Sequence, residues 1–423
     1  MTWLLLLAVI LVLVAAHEGG HFLAAKLLGV AVEEFAIGFG PVLFSRKRGE
    51  TRYSLRAFPI GGFVRLAGEE GGTSEVPFER TYYGRPAWVR FMVSLAGPVA
   101  NIVLAGLIVV GAISGFGLPH LQVAGVIPGE PAAGALEVGD VVLEVGGREV
   151  WLRDEVGPAI QAAAPGPVRF LLLRRGAELE LSITPRWDPD GERYLVGAYF
   201  SSRVYLTRLK DLEPGSPLSA AGLRAGDEIV GACGQSVSSL AELYGELEAG
   251  CRELTVRRGE GILQAALPEL RPDELLAGAE FDYLPEVVAR PSLPTAVELG
   301  IKQISQFFLA LGQVIRGLLT GAIPAGQAVA GPVGMAGLFS QGLQVGGLAT
   351  LLLIAFISLN LAAFNLLPFP ALDGARMAFA LFEMTTRRKV SPKVEAAIHA
   401  LGFMLLLALM LLITWRDILR LFG

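Results

Sequence analysis

Cysteine is scarce in this sequence, and its scarcity limits the kinds of site that the chain can build. Only Cys233 and Cys251 occur among 423 residues, too few for a disulfide framework and not in the spacing of a zinc ribbon. Two buried free thiols are favoured over a single bridge. Any metal site must therefore use histidine and carboxylate ligands.

Charge is also scarce. Charged residues make up 18% of the chain and apolar residues 53%, whereas soluble domains are roughly 25% charged. Mean hydropathy is +0.54, which indicates several membrane spans and the lipid bilayer as a partner. A basic tract with interleaved aromatic residues is lacking, so we expect no binding to nucleic acid.

Four apolar stretches are long enough, or nearly so, for membrane-spanning helices of about 20 residues. These stretches are residues 1–30, 88–116, 347–367 and 394–415. The first ends like a signal peptide, but no basic residue precedes it and apolar character resumes after Gly20. We therefore expect a retained helix.

Basic residues predict the orientation of the spans, because they favour the cytoplasmic side. They cluster after the first span and between the third and the fourth. The two clusters are Lys26, Arg46, Lys47, Arg48, Arg52, Arg56 and Arg65, and Arg376, Arg387, Arg388, Lys389 and Lys393. Both termini and the middle of the chain are then predicted to lie outside.

The middle of the chain contains an internal repeat. Gly129-Glu130-Pro131 recurs as Gly215-Ser216-Pro217, and Leu136-Glu137-Val138-Gly139-Asp140 recurs as Leu223-Arg224-Ala225-Gly226-Asp227. The offset is that of a small domain, which indicates two tandem copies, 118–200 and 201–285. Each is predicted to hold a short helix closed by the Gly-Asp turn, followed by strands. The pattern resembles PDZ domains, which bind extended chain ends at a sheet edge.

The remaining segments have weaker patterns. Residues 31–67 alternate and carry Gly and Pro, which predicts short strands or hairpins. Residues 68–87 read as a cytoplasmic linker. Residues 286–346 hold an amphipathic helix over 294–320, predicted to lie in the membrane interface rather than to form a fifth span. Residues 368–393 form a cytoplasmic loop.

Two of the four histidines, His17 and His21, lie one helical turn apart in the first apolar stretch, with Glu18 between them. Residues i and i+4 share one helix face, so both imidazoles can bind one cation, and Glu18 can act as general base on its water. Gly19 and Gly20 would let water and substrate approach. Chance packing is the alternative, but ionisable groups at mid-span cost roughly 2.5–3.5 kcal/mol and are functional by default.

A catalytic site of this kind needs a third protein ligand. The candidates at comparable depth are Asp373, Glu383, His399 and Glu298. Asp373 is favoured, because two prolines just before it end the third span and hold the chain extended. Irregular backbone at membrane depth is tolerated only where it is buried in protein or lines a cavity.

Two asparagines at membrane depth have open roles. Asn365 could contact the substrate backbone or stabilise an oxyanion, or it could cap its helix. Asn101 lies among small residues of the second span, so helix packing is favoured over a catalytic role.

Taken together, these motifs resemble the site-2 protease family, specifically the bacterial regulator of sigma-E protease type with two PDZ domains. The resemblance covers nearly the whole chain. The motifs that carry it are His17-Glu18-Gly19-Gly20-His21, Pro59-Ile60-Gly61-Gly62-Phe63-Val64, Gly97-Pro98-Val99-Ala100-Asn101, Gly331-Pro332-Val333-Gly334, and Asn365 through Gly374. Ala375 stands where many members have a second glycine.

The resemblance implies the chemistry of the site. His17, His21 and Asp373 would bind Zn²⁺, Glu18 would be the base, and Asn365 would contact the substrate. The sheet within 31–67 would receive the substrate as an added strand, which makes its glycine-rich stretch a substrate-binding candidate. The residues of that stretch are Gly61, Gly62 and Phe63.

The resemblance also implies the architecture and the partners. It predicts a monomeric, multi-pass protein of the bacterial inner membrane, with four transmembrane helices, a membrane-associated β-sheet and two α+β PDZ-like domains. The PDZ-like domains would face the periplasm, with the active site near the cytoplasmic side. Substrates would be single-span proteins such as anti-sigma factors or remnant signal peptides, screened by the PDZ pair. A catalytically silent PDZ scaffold of the same fold is the main alternative, and a metal-dependent transporter is a weaker one.

Overall fold

The computed structural model describes residues 2–69, 76–322 and 332–422. Part of the predicted linker 68–87, part of the predicted loop in 286–346 and residue 331 of the 331–334 motif lie outside this range. The chain divides into two compact units. One comprises the chain up to Phe116 together with the chain from Pro291 onward, and the other comprises Gly117–Arg290.

The first unit is mostly helical, and the second unit is mostly β-sheet. In chain order the helices are α1 (Thr2–Leu27), α2 (Ala87–Phe116), α3 (Arg153–Ala163), α4 (Pro217–Ala220), α5 (Leu240–Glu248), α6 (Pro272–Leu275), α7 (Leu293–Leu319), α8 (Pro332–Val345), α9 (Gly347–Leu366), α10 (Asp373–Thr386) and α11 (Pro392–Phe422). A 3₁₀ turn spans Phe78–Arg80. Within the described ranges, four segments are long and apolar enough to cross a membrane. They are α1, α2, α9 and Pro392–Arg416 of α11.

The strands are mostly in the second unit. They are β1 (Val32–Arg48), β2 (Thr51–Leu66), β3 (Leu118–Pro119), β4 (Leu121–Val126), β5 (Val141–Val145), β6 (Arg148–Glu149), β7 (Val168–Arg174), β8 (Ala177–Ile183), β9 (Arg186–Asp188), β10 (Arg193–Leu195), β11 (Ala198–Ser201), β12 (Tyr205–Leu212), β13 (Glu228–Ala232), β14 (Gln235–Ser236), β15 (Glu253–Arg258), β16 (Gly261–Ala266), β17 (Ala279–Tyr283) and β18 (Val288–Ala289).

The hairpin of β1 and β2 is folded back on itself. Its register pairs residues 32–37 with 62–66, residues 34–37 also with 52–55, and residues 42–48 with 51–56. The two long strands therefore make four segments in the order 42–48, 51–56, 32–37, 62–66. The bends fall at Gly38 and Gly61, whose φ angles of 86° and 87° only glycine adopts readily. The short hairpins predicted for 31–67 are thus one long hairpin with bent strands, and residues 62–66 form one edge.

Helix α2 is the centre of the first unit, since it packs against α1, α7, α9 and α10. The first residues of α2 pack against the hairpin in an apolar core that includes Tyr82 and Val89. Gly20 lies so close to α2 that a Cβ there would sit 2.8 Å from the Cβ of Ala100, whereas a Cβ at Gly19 would meet nothing within 4 Å among the described residues. The expectation that both glycines keep the helix surface open is therefore correct only for Gly19, because Gly20 is used for helix packing.

The second unit holds two similar copies, each with its own apolar core. The sheet of the first copy has the order β11-β4-β5-β7-β8 with β6 beside β5. The sheet of the second has the order β16-β15-β13-β12-β17 with β14 beside β13. Helix α3 belongs to the first core and α5 to the second.

The repeated Gly-Asp turn has the same structure in both copies. Asp140 binds Arg174 through two hydrogen bonds of 2.7 and 2.6 Å, and Asp227 binds Arg258 through two of 2.7 Å. Each carboxylate also accepts the backbone N–H three residues before it. The short helix predicted for each copy forms only in the second, as α4. In the first copy Gly134, with a φ of 77°, ends the segment after one turn.

The expectation of free thiols is wrong, because Cys233 and Cys251 form a disulfide with a Cα–Cα distance of 5.8 Å. Cys233 follows β13 and Cys251 follows the end of α5. The fold of the second copy brings these two ends together. Spacing along the chain does not reveal such a tertiary approach.

The Asp227–Arg258 pair predicts a pH-dependent stability of the second copy. The hydrogen bonds from Arg258 lower the pKa of Asp227, so their stabilisation is present above the unfolded pKa of about 3.9 and is lost as the pH falls through the folded value. We expect Asp227→Asn to lower the free energy of unfolding of the 117–290 unit at pH 7 by about 1.5–3 kcal/mol. Urea unfolding measures this effect.

The control is Asp190→Asn, at an exposed position of the same unit, which should change the free energy of unfolding little. We also expect the difference between Asp227→Asn and the unchanged protein to shrink below pH 4. A difference that stays constant from pH 7 to pH 3 would contradict the assigned role of this pair.

Candidate metal centre

Three side chains from two distant parts of the chain converge in the first unit. His17 and His21 lie on α1, and Asp373 is the first residue of α10. The Oδ2 atom of Asp373 lies 3.0 Å from Nε2 of His17 and 3.3 Å from Nε2 of His21. One ligand atom from each residue lies within 4.8 Å of the others. All three predicted ligands are therefore brought to one point.

The ring of His21 is oriented for binding a cation. Its Nδ1 lies 2.7 Å from the backbone carbonyl oxygen of Val93 on α2. Because a carbonyl can only accept, Nδ1 carries the proton, and the lone pair of Nε2 points toward Asp373. Such a hydrogen bond on the far nitrogen is the usual way in which a ligating histidine is held.

The ring of His17 contacts Asn101, a fully buried residue of α2. The Nδ2 atom of Asn101 lies 3.3 Å from Nδ1 of His17, and its Oδ1 is buried with no partner among the described residues. Rotating the amide by 180° would let Oδ1 accept a proton from Nδ1, which leaves Nε2 of His17 free to bind a cation. Asn101 is therefore placed to orient a ligand, in addition to the packing that its position among small residues predicts.

The other candidates for the third ligand have different contacts. Glu383 forms an ion pair of 2.5 Å with Arg90, which occupies its carboxylate. His399 accepts a hydrogen bond of 3.0 Å from the backbone N–H of Ala371. Glu298 is exposed on α7. Among these candidates only Asp373 joins the two histidines.

A cavity of about 640 Å³ opens beside the three ligand atoms. Glu18, Phe63 and Asn365 line it together with His17, His21 and Asp373. A Cβ at Gly62 would lie 3.5 Å from Cγ of Glu18, so the 62–66 edge of the hairpin passes beside the predicted base. The amide of Asn365 donates to the carbonyl of Leu361, one helical turn earlier, and Leu367 is the C-cap of the helix. Asn365 therefore stays a candidate for substrate contact.

Sequence reasoning missed two residues around the centre. A Cβ at Gly97 would lie 2.5 Å from Cε1 of His21 and 2.9 Å from Cε1 of His17, so both rings occupy the space above this glycine. Arg376, which served only to predict orientation, forms an ion pair with Glu69 beside the cavity. The Gly97-Pro98 pair inside an apolar stretch was the available signal for the first. Nothing local in the sequence signals the second.

These donors suit a divalent cation. Two neutral imidazoles and one carboxylate are the set found in catalytic sites that hold a metal with three protein ligands and leave one position for water or substrate. The cavity beside them offers that position, and Glu18 lines it. The geometry defines the class of a metallohydrolase centre with the His-Glu-x-x-His pattern.

Comparison with known proteins agrees with this class. The chain belongs to peptidase family M50, whose pattern it matches over residues 5–409, which confirms the resemblance to the site-2 proteases. It is 31% identical to a protein of Thermotoga maritima over 97% of each chain. It is 30% identical to the zinc metalloprotease RasP of Shouchella clausii over 100% of each chain, and 28% identical to the zinc metalloprotease RasP of Geobacillus kaustophilus over 97% of this chain and 96% of that one.

A solved PDZ domain resembles a short stretch of the chain. The PDZ domain of the SdrC-like protein from Listeria monocytogenes is 21% identical and covers 19% of this chain and 87% of that chain. The TM-score of 0.18 is too low to support any conclusion.

The close approach of Gly97 predicts the effect of a single methyl group. Gly97→Ala places a Cβ where the imidazole rings of His17 and His21 lie, so at least one ring must move. We expect the affinity for a divalent cation to fall about tenfold or more, as it does when the supports of metal ligands are disturbed. Elemental analysis of the purified full chain after dialysis against a chelator measures this change.

Gly111→Ala, on the same helix, is the matched control. A Cβ there would meet nothing within 4 Å among the described residues, so cation affinity should stay as it is in the unchanged protein. Equal metal content in both variants would show that the rings do not need the space above Gly97.

Proposed function

We propose that this peptidase is an intramembrane zinc metalloprotease that cuts the transmembrane segments of single-span membrane proteins. The observation that carries the proposal is the convergence of His17, His21 and Asp373, in which both histidines lie on α1, a helix that is apolar enough to span a membrane. A protease with two of its metal ligands on such a helix would act on substrates within the bilayer.

The choice of zinc rests on the donors and on the relatives. Imidazole and carboxylate ligands in a set of three, with one open position, suit Zn²⁺. The relatives from Shouchella clausii and Geobacillus kaustophilus are both named zinc metalloproteases. Bound zinc would supply Lewis acidity, which makes water nucleophilic near neutral pH.

The protein's own residues would then carry the proton transfers. Glu18 lines the cavity next to both histidines, where it can take a proton from the attacking water and pass it to the leaving amide nitrogen. Asn365, which lines the same cavity, can donate a hydrogen bond to the substrate carbonyl. Asn101 and Val93 hold the rings of the two histidine ligands.

The edge of the hairpin offers a place for the substrate. A helical substrate must unwind before cleavage, because its carbonyls are otherwise engaged in helical hydrogen bonds. Residues 62–66, including Gly62 and Phe63, pair on one side with 32–37 and pass beside Glu18 on their way along the cavity. An extended substrate segment could add to this edge, which would offset the lost hydrogen bonds.

The two copies in the 117–290 unit are proposed to be PDZ domains that screen substrates by the size of their outer part. Substrates would then be single-span proteins that another protease has already trimmed, of the anti-sigma factor or remnant signal peptide type. The three ligands and the base come from one chain, so a monomer suffices for activity.

Two independent observations support the proposed orientation. Basic residues around the hairpin and α10 favour the cytoplasmic side. The disulfide between Cys233 and Cys251 favours an oxidising compartment outside the cytoplasm. We therefore propose that the two PDZ-like copies lie on the periplasmic side of a bacterial inner membrane, with the metal centre near the cytoplasmic side.

The proposed roles predict different effects at the base and at a ligand. Glu18→Gln keeps the size of the side chain but cannot accept the proton, so zinc content should stay near one ion per chain while cleavage falls by about 10²–10⁴-fold. Asp373→Ala removes a ligand and should lower both. The measurements are zinc analysis and cleavage of a single-span substrate in proteoliposomes.

Undiminished turnover by Glu18→Gln would reject this base. Full zinc occupancy in Asp373→Ala would place the third ligand elsewhere. If the unchanged protein binds zinc but cleaves no membrane substrate, the catalytically silent scaffold is the better reading.

The orientation predicts the chemistry of the two cysteines in intact cells. A membrane-impermeant maleimide should not label Cys233 or Cys251 until an external reductant is added, and should then label both. The matched control is Arg388→Cys in a chain with both native cysteines changed to serine. Because residue 388 is exposed in the segment predicted to be cytoplasmic, it should react only after the cells are permeabilised. Labelling of the control in intact cells would contradict the proposed orientation and indicate the opposite one.

A further inference from the structure

The turn that presents Asp373 has an unusual backbone. Residues 367–372 connect α9 to α10, and Ala371, two residues before Asp373, has a φ of 78°. The left-handed region is unfavourable for a residue with a Cβ and persists only where surrounding contacts hold it. The position of the Asp373 carboxylate therefore depends on whatever holds this turn.

Helix α11 contacts this turn at two points, one turn of the helix apart. The ring of His399 accepts a hydrogen bond at Nδ1, 3.0 Å from the backbone nitrogen of Ala371. One turn further on, Gly402 lies against Pro370, so closely that a Cβ there would sit 2.5 Å from the carbonyl oxygen of Pro370. The helix thus supplies both the acceptor for the turn and the surface against which it packs.

We propose that His399 is a positioning residue for the metal centre, acting on Asp373 through the backbone of Ala371. This inference rests on the proposed function, because it takes Asp373 to be a zinc ligand. Without an acceptor at Nδ1, the N–H of Ala371 would lose its partner and the left-handed turn would be free to relax. Asp373 would then no longer be held opposite His17 and His21.

The proposal gives the two nitrogens of His399 different roles. Nδ1 is the acceptor, and the ring is kept in place by an edge contact with Phe379, at 6.0 Å between centroids. Nε2 is buried with no hydrogen-bond partner among the described residues. A direct ligand role, the alternative left open by the sequence, would use a ring nitrogen near the cation, but His399 is not a member of the cluster of donors.

Two amide side chains separate these roles. The Oδ1 atom of asparagine occupies the same bonded position as Nδ1 of histidine, so His399→Asn keeps the acceptor although it is the smaller side chain. His399→Gln preserves more of the volume and places its oxygen near the position of Nε2. The experiment is a competition for Zn²⁺ between the detergent-solubilised full chain and a chromophoric chelator.

We expect His399→Gln and His399→Ala to weaken zinc binding about 10–100-fold, in the range found when outer partners of metal ligands are removed, and His399→Asn to stay within about threefold of the unchanged protein. If glutamine preserves the affinity and asparagine does not, the side chain acts through Nε2 or through its volume, and the proposal is overturned. Equal affinities in all three variants overturn it as well.

Gly402→Ala tests the second contact, since a methyl group there must push α11 away from Pro370. Zinc binding should weaken as in His399→Ala, whereas Gly312→Ala, where a Cβ meets nothing within 4 Å among the described residues, should leave it unchanged. An unaltered affinity in Gly402→Ala would mean that the turn holds its shape without α11. Failure of the unchanged protein to bind zinc would reject the proposed function itself, which keeps the two failures distinct.

Discussion

The structure of the first unit depends on bringing one carboxylate from the C-terminal half of the chain to two imidazoles near its start. Helix α2 makes this approach possible, although it donates no ligand. Val93, Gly97 and Asn101 follow one another at intervals of four residues, so they share one face of the helix. Along that face a carbonyl orients His21, a missing side chain leaves room for both rings, and an amide contacts His17. The face of α2 that packs against α1 is therefore also the face that positions the two imidazole donors.

Much of this centre could be predicted from the sequence, because its strongest signals are local. His17, Glu18 and His21 fall within a single helical turn and a half, in a stretch where ionisable groups are otherwise rare. The two prolines before Asp373 predict its role. They end a helix at membrane depth, where irregular backbone is tolerated only if it is buried in protein or lines a cavity. The rival Glu383 could be set aside only in three dimensions, because its partner Arg90 is almost three hundred residues away along the chain.

The features that the sequence did not predict depend on tertiary approach. The pairing of Cys233 with Cys251 needs the end of α5 to meet the turn after β13. The short helix forms in the second copy, as α4, and not in the first copy, where Gly134 has a φ of 77°. The folding of the hairpin into four segments depends on bends at Gly38 and Gly61, and alternation alone could not distinguish one bent hairpin from several short ones. In each case the local pattern was compatible with more than one outcome, and long-range contacts selected among them.

The contacts of α11 with the Asp373 turn limit how a substrate can reach the cavity. Long exposed apolar side chains cover much of α11, as expected for a helix that meets lipid. Exposure of this kind alone would leave the helix free to move aside. Its contacts through His399 and Gly402 argue otherwise, because a displacement that removes them would also release the backbone that presents Asp373, the proposed zinc ligand. Access is then better sought along the hairpin edge at residues 62–66, which passes beside Glu18. A peptidase arranged in this way could admit an extended chain at the edge of its sheet while the helix behind the metal ligand stays in place.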